Sequence, residues 1–268
     1  MHDLPIDEKN DLPMITLGMV VYNGIEHIKD ALDSIVRLSY RNIELVVVDG
    51  GSTDGTLNIL SEYSKYISVL VSEPDKGIYD AMNKLCTLAT GDWLIFLGCD
   101  DVLLDALGNM AEKMTDPDTV YHGDVIFRSG GYIYGGKFSK YRLARHNFCH
   151  QSMFYPRLVY KKYSYSLDYK RLADYAYNIK LAGNGIPFTY VPAVVSIYND
   201  KGRSSEGDAE FEKRKFSLIS ASFGLMYALF EILHRLTVFS IVAMLKSLLP
   251  YSYWKYLQFL WRKLRNKY

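Results

Sequence analysis

Short apolar runs alternate with amphipathic stretches through the first half of the chain. The first run covers residues 15 to 22, and Asn23-Gly24 ends it. Apolar side chains then recur at helical spacing, at Ile28, Ala31, Leu32, Ile35 and Leu38. A β-rich run, a turn and a 3.6-residue period together predict a strand followed by a helix.

The same strand, loop and helix pattern occurs three more times. Apolar strands are predicted at residues 45 to 48, 68 to 71 and 93 to 97, and the last precedes a helix that carries Leu104 and Leu107. Nearly continuous apolar strands are typical of a mostly parallel sheet flanked by helices on both faces. We therefore predict an α/β fold whose ligand lies beyond the carboxyl ends of the strands.

Residues 119 to 135 follow a different pattern. Two β-rich segments in this region are separated by Ser129-Gly130-Gly131, which is typical of a turn. We predict antiparallel strands here, so the second half of the protein mixes strands and helices without the regular alternation of the first half.

Composition predicts a large core and excludes a basic nucleic-acid surface. Apolar residues make up 49% of the 268 positions and charged residues 23%, values that argue against disorder. The formal net charge of +1 lacks the broad excess of Lys and Arg that phosphate-backbone binding needs, so we expect no nucleic-acid partner. Cys86, Cys99 and Cys149 lack metal or disulfide spacing, and we interpret them as reduced cytoplasmic thiols.

Polar side chains follow the predicted strand ends. Asp49 ends the second strand and opens a Gly/Ser-rich loop, in which Asp54 either caps the next helix or contacts a ligand. Around the third helix, Asp80 and Asn83 lie three residues apart, so one helix face either presents them to a ligand or is simply solvated. Both alternatives remain open from spacing alone.

Asp100-Asp101 closes the strand at residues 93 to 97. Adjacent carboxylates at the mouth of a buried sheet are costly unless a cation neutralises them, and Mg²⁺ or Mn²⁺ is held by one or two carboxylates together with phosphate oxygens. A cap for a helix starting near Val102 is the alternative. The chain contains neither a dinucleotide fingerprint nor a Gly-Lys-Ser/Thr phosphate loop, which argues against a dehydrogenase or an ATPase.

Four motifs occur in one order along the chain. They are Val20-Val21-Tyr22-Asn23, residues 48 to 56, residues 75 to 83 and residues 91 to 101. Together they resemble the family-two glycosyltransferases with the GT-A fold, in particular those that build bacterial exopolysaccharide, capsule and colanic-acid-like repeats. The resemblance covers roughly residues 14 to 200.

This resemblance implies a metal-dependent, inverting transfer from a nucleotide-diphosphate sugar. It places Tyr22 and Asn23 among the donor contacts, Asp49 at the nucleotide base, Asp100 at the ribose or sugar, and Asp101 at the metal, Mg²⁺ or Mn²⁺. Asp80 and Asn83 belong to the same donor-binding set.

Two later positions complete the site that the resemblance implies. His150 lies in a His-Gln segment that resembles the border of the donor-sugar pocket, and Asp174 matches the catalytic base that accepts the proton of the acceptor hydroxyl. The chain departs from the usual pattern at Gly50, where many relatives carry a second Asp, and at Ala173, where the family usually has an acidic residue.

A Gly/Ser-rich loop and a basic tail follow. Arg203 lies in the loop and is a candidate phosphate partner, with an ordinary mobile loop as the alternative. Every charged residue from Lys246 to Tyr268 is basic and aromatic residues are interleaved, a composition that favours an anionic membrane interface. A helical hairpin packed on the core or in a dimer is the alternative.

These observations predict three segments: a tail at 1–13, a GT-A catalytic domain at 14–207 and a helical, membrane-associating extension at 208–268. The acidic opening lacks a signal-peptide pattern, so we expect a cytoplasmic enzyme, peripheral on the inner membrane. The predicted function is sugar transfer to a lipid-linked or saccharide acceptor in cell-surface polysaccharide biosynthesis. The predicted donor is a UDP-sugar, with a GDP-sugar as the alternative. A non-catalytic nucleotide-sugar-binding or scaffold subunit is the alternative.

Overall fold

A computed structural model describes residues 12–201 and 207–248. The phosphate contact predicted for Arg203 and the tail at 249–268 therefore lie outside the described residues. The strands are β1 (Ile15–Val21), β2 (Ile43–Asp49), β3 (Val69–Ser72), β4 (Trp93–Gly98), β5 (Val102–Leu103), β6 (Val120–Phe127), β7 (Tyr132–Tyr134), β8 (Met153–Pro156) and β9 (Phe188–Tyr198). The α-helices are α1 (Ile28–Val36), α2 (Thr56–Glu62), α3 (Ile78–Leu88), α4 (Leu107–Lys113), α5 (Lys140–Arg145), α6 (Arg157–Lys162), α7 (Ala173–Gly183), α8 (Ala209–Phe223) and α9 (Leu225–Leu248).

The strands of the described chain form one mixed sheet in the order β3-β2-β1-β4-β8-β6-β9-β5, with β7 paired to β6. The first four strands pair in parallel, which confirms the parallel half predicted from the apolar runs. Because parallel strands share one direction, the carboxyl ends of β1 to β4 meet at one edge of the sheet. That edge is where the polar loops lie.

Apolar side chains cover both faces of the sheet. In β2, Val46 and Val48 belong to one buried cluster, and Leu45 and Val47 belong to another. Successive side chains of a strand point to opposite faces, so an unbroken apolar run fills two cores at once. The strand prediction rested on this pattern.

The second half of the sheet contains both antiparallel and parallel pairs. β6 and β7 form the expected antiparallel hairpin, and β8 is antiparallel to both β4 and β6. β9 lies outside the residues for which antiparallel strands were predicted, and it runs parallel to β6. Because β8 is antiparallel to β6 and β9 is parallel to it, β8 and β9 run in opposite directions, and α6 and α7 connect them.

The helix after β4 begins later than predicted. Val102 and Leu103 form the short strand β5, which pairs antiparallel with β9, and Leu104 N donates to Val195 O at 2.8 Å. α4 then starts at Leu107. The prediction that this helix includes Leu104 is therefore wrong, because the backbone before α4 pairs with β9, a strand that is distant in sequence.

The described part of the C-terminal extension packs on the catalytic domain. The Phe211 ring of α8 stacks on Tyr175 of α7 at 4.8 Å, and Phe230 of α9 meets Tyr141 of α5 at 4.6 Å. This is the hairpin that the sequence left as the alternative to a membrane segment. No helix of the described residues combines the length and hydropathy needed to cross a bilayer.

A buried ion pair joins the two C-terminal helices. Lys215 Nζ lies 3.0 Å from Glu231 Oε1, and their side chains are 10% and 8% exposed. Removing one member leaves the other charge buried without its partner, so Glu231→Ala should lower the free energy of unfolding by about 3 to 5 kcal/mol. Chemical denaturation measures this value.

The matched control is Glu212→Ala. Glu212 Oε2 lies 3.5 Å from Arg235 in a pair whose side chains are about half exposed, and such a surface pair is worth less than about 1 kcal/mol. Equal losses for the two variants would contradict the role given to the buried pair.

Candidate active site

A cleft of about 1350 Å³ opens at the predicted edge of the sheet. Its walls include residues 20–24, 75–82, 96–101, 145–151 and 198–200. These segments follow β1, β4 and β9, open α3, and connect α5 to β8, so both halves of the sheet contribute. The cleft therefore joins loops from widely separated parts of the chain.

Most of the predicted site residues line this cleft: Tyr22, Asn23, Asp80, Asp100, Asp101, His150 and Asp174. Asp49 and Asn83 are not among its lining residues. The structure thus brings the acid pair and the candidate base into one cavity, although 73 positions or more separate them in sequence.

Asp101 is the buried member of the acid pair. Its side chain is 1% exposed, and its Oδ2 accepts hydrogen bonds from Gln151 Nε2 at 2.9 Å and Gly98 N at 3.1 Å. Its Oδ1 accepts from Asn199 N at 2.8 Å. Both oxygens are therefore held by protein donors, which fixes the end of β4.

Asp100 is the accessible member. Asn199 Nδ2 donates to its Oδ2 at 2.8 Å, and within residues 12–201 and 207–248 its Oδ1 accepts no hydrogen bond. Asn199 thus holds both acids, one through its backbone and one through its side chain. The unbonded oxygen of Asp100 belongs to a residue that lines the cleft.

The acid pair suits a divalent cation that completes its ligands from a substrate. Burial raises the pKa of Asp101, so a positive charge beside it would favour the ionised form. No group of three or more His, Cys, Asp or Glu side chains in the described part of the chain could hold a metal. Mg²⁺ and Mn²⁺ use one or two carboxylates with water and phosphate oxygens, a requirement that this pair meets.

Asp174 lies in the first turn of α7 and is 7% exposed. Its Oδ2 accepts from Asn147 Nδ2 at 2.7 Å and lies 3.4 Å from His150 Nδ1. Its Oδ1 lies 3.0 Å from the Tyr79 hydroxyl. The helix N-terminus favours a negative charge at this position.

Two consecutive residues connect the acids. His150 contacts Asp174 while Gln151 donates to Asp101, so one short 3-10 turn (His150–Ser152) positions both carboxylates. The sequence singled out His150 but not Gln151. The neighbouring contacts Asn147, Asn199 and Tyr79 were also missed, because no local periodicity or motif marks an asparagine or tyrosine whose partner is far along the chain.

Asp49 is fully buried and holds its own loop. Its Oδ2 accepts from the backbone N of Gly51 and Ser52, each at 3.0 Å, and from Ser72 Oγ at 2.7 Å. Its Oδ1 is buried without a donor from the described residues. A Cβ added at Gly50 would lie 2.5 Å from Asp75 Oδ2, so the Asp75 carboxylate occupies the space that a side chain at position 50 would need.

Asn23 and Asp54 join the loops after β1 and β2. Asn23 adopts φ +50°, its N donates to Ser52 Oγ at 2.7 Å and its Oδ1 accepts from Thr53 N at 2.9 Å. Asp54 accepts from Thr56 N at the start of α2 and from Ile25 N, both at 3.0 Å. Asp54 therefore accepts from the first backbone N of α2, whereas Gly55 is the N-cap residue, and Asn23 lines the cleft.

Asp80 and Asn83 have different surroundings. Asp80 lines the cleft, and its Oδ2 accepts from Lys76 N at 3.0 Å. Asn83 Nδ2 donates to Tyr165 O at 2.9 Å, and its Oδ1 accepts from Tyr165 N at 2.8 Å. Both ends of the Asn83 amide are therefore bonded to the backbone of a core residue. We leave Asn83 out of the proposed donor contacts for this reason.

Cys99 lies beside the acid pair but is unsuited to nucleophilic chemistry. Burial raises the pKa of its thiol to about 12, and the neighbouring carboxylates act in the same direction. A protonated thiol is a weak nucleophile, so Cys99 fits the role of a small buried side chain better than that of a nucleophile.

Comparison with known proteins gives consistent results. The model of the family described as Glycosyl transferase family 2 matches residues 16–172. A PGL/p-HBAD biosynthesis glycosyltransferase of Mycobacterium tuberculosis is 39% identical over 214 residues, which cover 75% of this chain and 84% of that protein.

Two solved structures are similar in fold. TarS of S. aureus in complex with UDP-GlcNAc matches with a TM-score of 0.65 at 17% identity, covering 78% of this chain and 66% of that one. The mannosyltransferase PcManGT from Pyrobaculum calidifontis, in complex with GDP-Man and Mn²⁺, matches with a TM-score of 0.62 at 18% identity, covering 92% and 84%. These likenesses confirm the predicted GT-A fold.

Gly98 provides a test of the packing around the acid pair. A Cβ at this position would lie 2.6 Å from Asp101 Oδ2 and 2.9 Å from Asp100 Oδ1, so both carboxylates would have to move. We expect Gly98→Ala to lower the free energy of unfolding by about 1 to 3 kcal/mol. Gly108→Ala is the control, because its Cβ would meet nothing within 4 Å and alanine favours α4. A stable Gly98→Ala variant would show that the acids are loosely held.

Proposed function

The chain belongs to glycosyl transferase family 2, and on that basis we propose that its cleft moves a sugar from a nucleotide-diphosphate donor, a UDP-sugar, to a lipid-linked or saccharide acceptor in cell-surface polysaccharide biosynthesis. The observation that carries this proposal is the shared cleft of the Asp100-Asp101 pair and Asp174. Two similar proteins support it: one is a glycosyltransferase of PGL/p-HBAD biosynthesis, and the structure of the other holds UDP-GlcNAc.

Asp174 acts as the general base in this proposal. The acceptor hydroxyl gives its proton to the Asp174 carboxylate as its oxygen bonds to the anomeric carbon, and the bond from that carbon to the diphosphate breaks. Attack from the face opposite the leaving group inverts the anomeric centre in a single displacement. Burial at 7% exposure limits competing water around the carboxylate.

Asp100 and Asp101 would hold the cation. Asp100 offers the unbonded Oδ1, and Asp101 adds negative charge from a position fixed by Gln151 and Asn199. When bound, Mg²⁺ or Mn²⁺ stabilises negative charge on phosphate oxygens. PcManGT, which is similar in fold, binds Mn²⁺ together with GDP-Man, and this supports the choice of metal.

The donor nucleotide is proposed to lie on the β1 to β3 side of the cleft. Tyr22 is 56% exposed at the rim and offers an aromatic face for a base, while the buried Asp49 Oδ1 lacks a donor among the described residues and suits a base N–H. Asp80 and His150 also line the cleft, and we assign them to the ribose and the sugar.

A non-catalytic nucleotide-sugar-binding or scaffold subunit is the second candidate. It would need the donor side of the cleft but no base, so the contacts that hold Asp174 in the cleft favour an enzyme. Metal-dependent release of nucleoside diphosphate separates the two functions.

The decisive experiment incubates the protein with a panel of UDP- and GDP-sugars and measures release of the nucleoside diphosphate. We expect release that requires Mg²⁺ or Mn²⁺ and stops with a chelator. Asp174→Asn keeps the shape of the side chain but removes the base, so turnover should fall about 100-fold or more while donor-induced thermal stabilisation persists. The exposed Asp118→Asn is the control. Normal turnover by Asp174→Asn would remove Asp174 from the base role.

We also propose that α9 lies on an anionic membrane surface. Along one side of this helix the large apolar residues are 47 to 77% exposed: Leu225, Met226, Leu229, Leu233 and Leu236. A continuous exposed apolar stripe of this kind is typical of an interfacial helix. The sequence contains six Lys and Arg residues from Lys246 onward, and anionic lipids attract their positive charge.

Vesicle co-sedimentation tests this surface. The protein should bind vesicles that contain phosphatidylglycerol and not vesicles of phosphatidylcholine alone, and Leu229→Glu with Leu233→Glu should weaken binding about 10-fold or more because two charges enter the apolar stripe. Leu158→Glu, at a 63% exposed position on α6, is the matched control. Unchanged binding by the double variant would contradict the assignment of α9.

A further inference from the structure

A chain of hydrogen bonds runs from the core to the Asp174 carboxylate. The Tyr155 hydroxyl donates to Asn178 Oδ1 at 2.9 Å, and Asn178 Nδ2 donates to Asn147 Oδ1 at 3.0 Å. Asn147 Nδ2 then donates to Asp174 Oδ2 at 2.7 Å. Three side chains from β8, α7 and the segment after α5 thus form a series, and the last of them, Asn147, binds one oxygen of the proposed base.

The direction of this chain follows from its ends. An ionised carboxylate only accepts hydrogen bonds, so the Asn147 amide must turn its NH₂ group towards Asp174 and its oxygen towards Asn178. The Asn178 amide must then turn its own NH₂ towards Asn147, which leaves its oxygen for the Tyr155 hydroxyl. Each amide has one orientation that satisfies both neighbours.

Burial makes this network costly unless every member is paired. Asn178 is fully buried and Tyr155 is 1% exposed, so an unmatched amide or hydroxyl here would lose its hydrogen bonds to water without replacement. Asn178 lies one turn after Asp174 on α7, yet the two side chains do not bond directly. Asn147, from the segment after α5, bridges them.

The two oxygens of Asp174 are held unequally. Oδ2 receives the short bond from Asn147 and has His150 Nδ1 at 3.4 Å. Oδ1 has the Tyr79 hydroxyl oxygen at 3.0 Å, but this hydroxyl has a single proton and its oxygen lies closer to Arg171 O, at 2.7 Å. Oδ2 is therefore the anchored oxygen, and Oδ1 keeps lone pairs for another hydrogen.

We propose that Asn147 is a positioning residue for the transfer reaction: through the chain from Tyr155 and Asn178 it anchors Oδ2, so that Oδ1 is presented to the acceptor hydroxyl. This inference rests on the proposed function, because it assigns Asn147 a task only if Asp174 is the base. Asn147 acts through Asp174 and needs no contact with donor or acceptor.

The test measures nucleoside diphosphate release from the best nucleotide-sugar of the panel, with full-length protein. Asn147→Leu keeps the branched shape but removes the donor, so kcat should fall about 10- to 100-fold, the value of a hydrogen bond to a charged group. KM for the nucleotide-sugar should stay within about twofold, since the donor side of the cleft is untouched. Asn184→Leu, exposed at the end of α7, is the matched control.

A double-mutant cycle separates positioning from a general structural effect. In an Asp174→Asn background, Asn147→Leu should change the residual kcat by less than about twofold, because the base that it positions is gone. An equal loss in both backgrounds, or a rise in KM that matches the fall in kcat, would overturn the inference.

A second variant covers the case in which Asn147→Leu does not fold. Tyr155→Phe removes one oxygen at the far end of the chain, and kcat should fall about twofold to tenfold with KM unchanged. Unchanged kcat overturns the inference.

If Asp174→Asn abolishes turnover while the Asn147 and Tyr155 variants behave as wild type, only the positioning role fails. If the wild type releases no nucleoside diphosphate from any sugar, the proposed function itself fails.

Discussion

Burial of carboxylates at one edge of the sheet is the constraint on which this site depends. Asp49, Asp101 and Asp174 are 0%, 1% and 7% exposed, and a buried charge is tolerated only where hydrogen-bond donors replace water. Each acid accordingly accepts from two or more protein groups. Because the donors come from other loops, satisfying the acids also fixes the loops that form the cleft.

The second half of the sheet supplies those donors. Asn199 follows β9 and holds both members of the acid pair, whereas His150 and Gln151 precede β8 and reach Asp174 and Asp101. The parallel half provides the acid pair and the mixed half positions it. Pairing of β8 with β4 joins the two halves of the sheet.

The C-terminal helices also support the proposed base. Asp208 caps α8 through Phe211 N at 3.1 Å, and its other oxygen accepts from Arg171 N at 2.8 Å. Arg171 lies three residues before Asp174, and α8 stacks Phe211 on Tyr175 directly after it. The segment assigned to an extension by sequence is therefore part of what fixes the start of α7.

Local patterns in the sequence determined the parallel half of the fold and the acids at its edge. An apolar run that fills two cores is visible residue by residue, and Asp49 and Asp100 follow such runs closely. The resemblance to a family identified His150 and Asp174 as site residues, because no hydrophobic periodicity distinguishes them from other polar residues. Only the tertiary structure decided that β9 runs parallel to β6, that Asn83 binds the Tyr165 backbone, and that Asn147 and Gln151 hold the acids. Those contacts join residues 27 to 82 positions apart. A hydrogen bond between residues so distant in sequence produces no periodic pattern of apolar and polar positions, so the sequence alone does not reveal it.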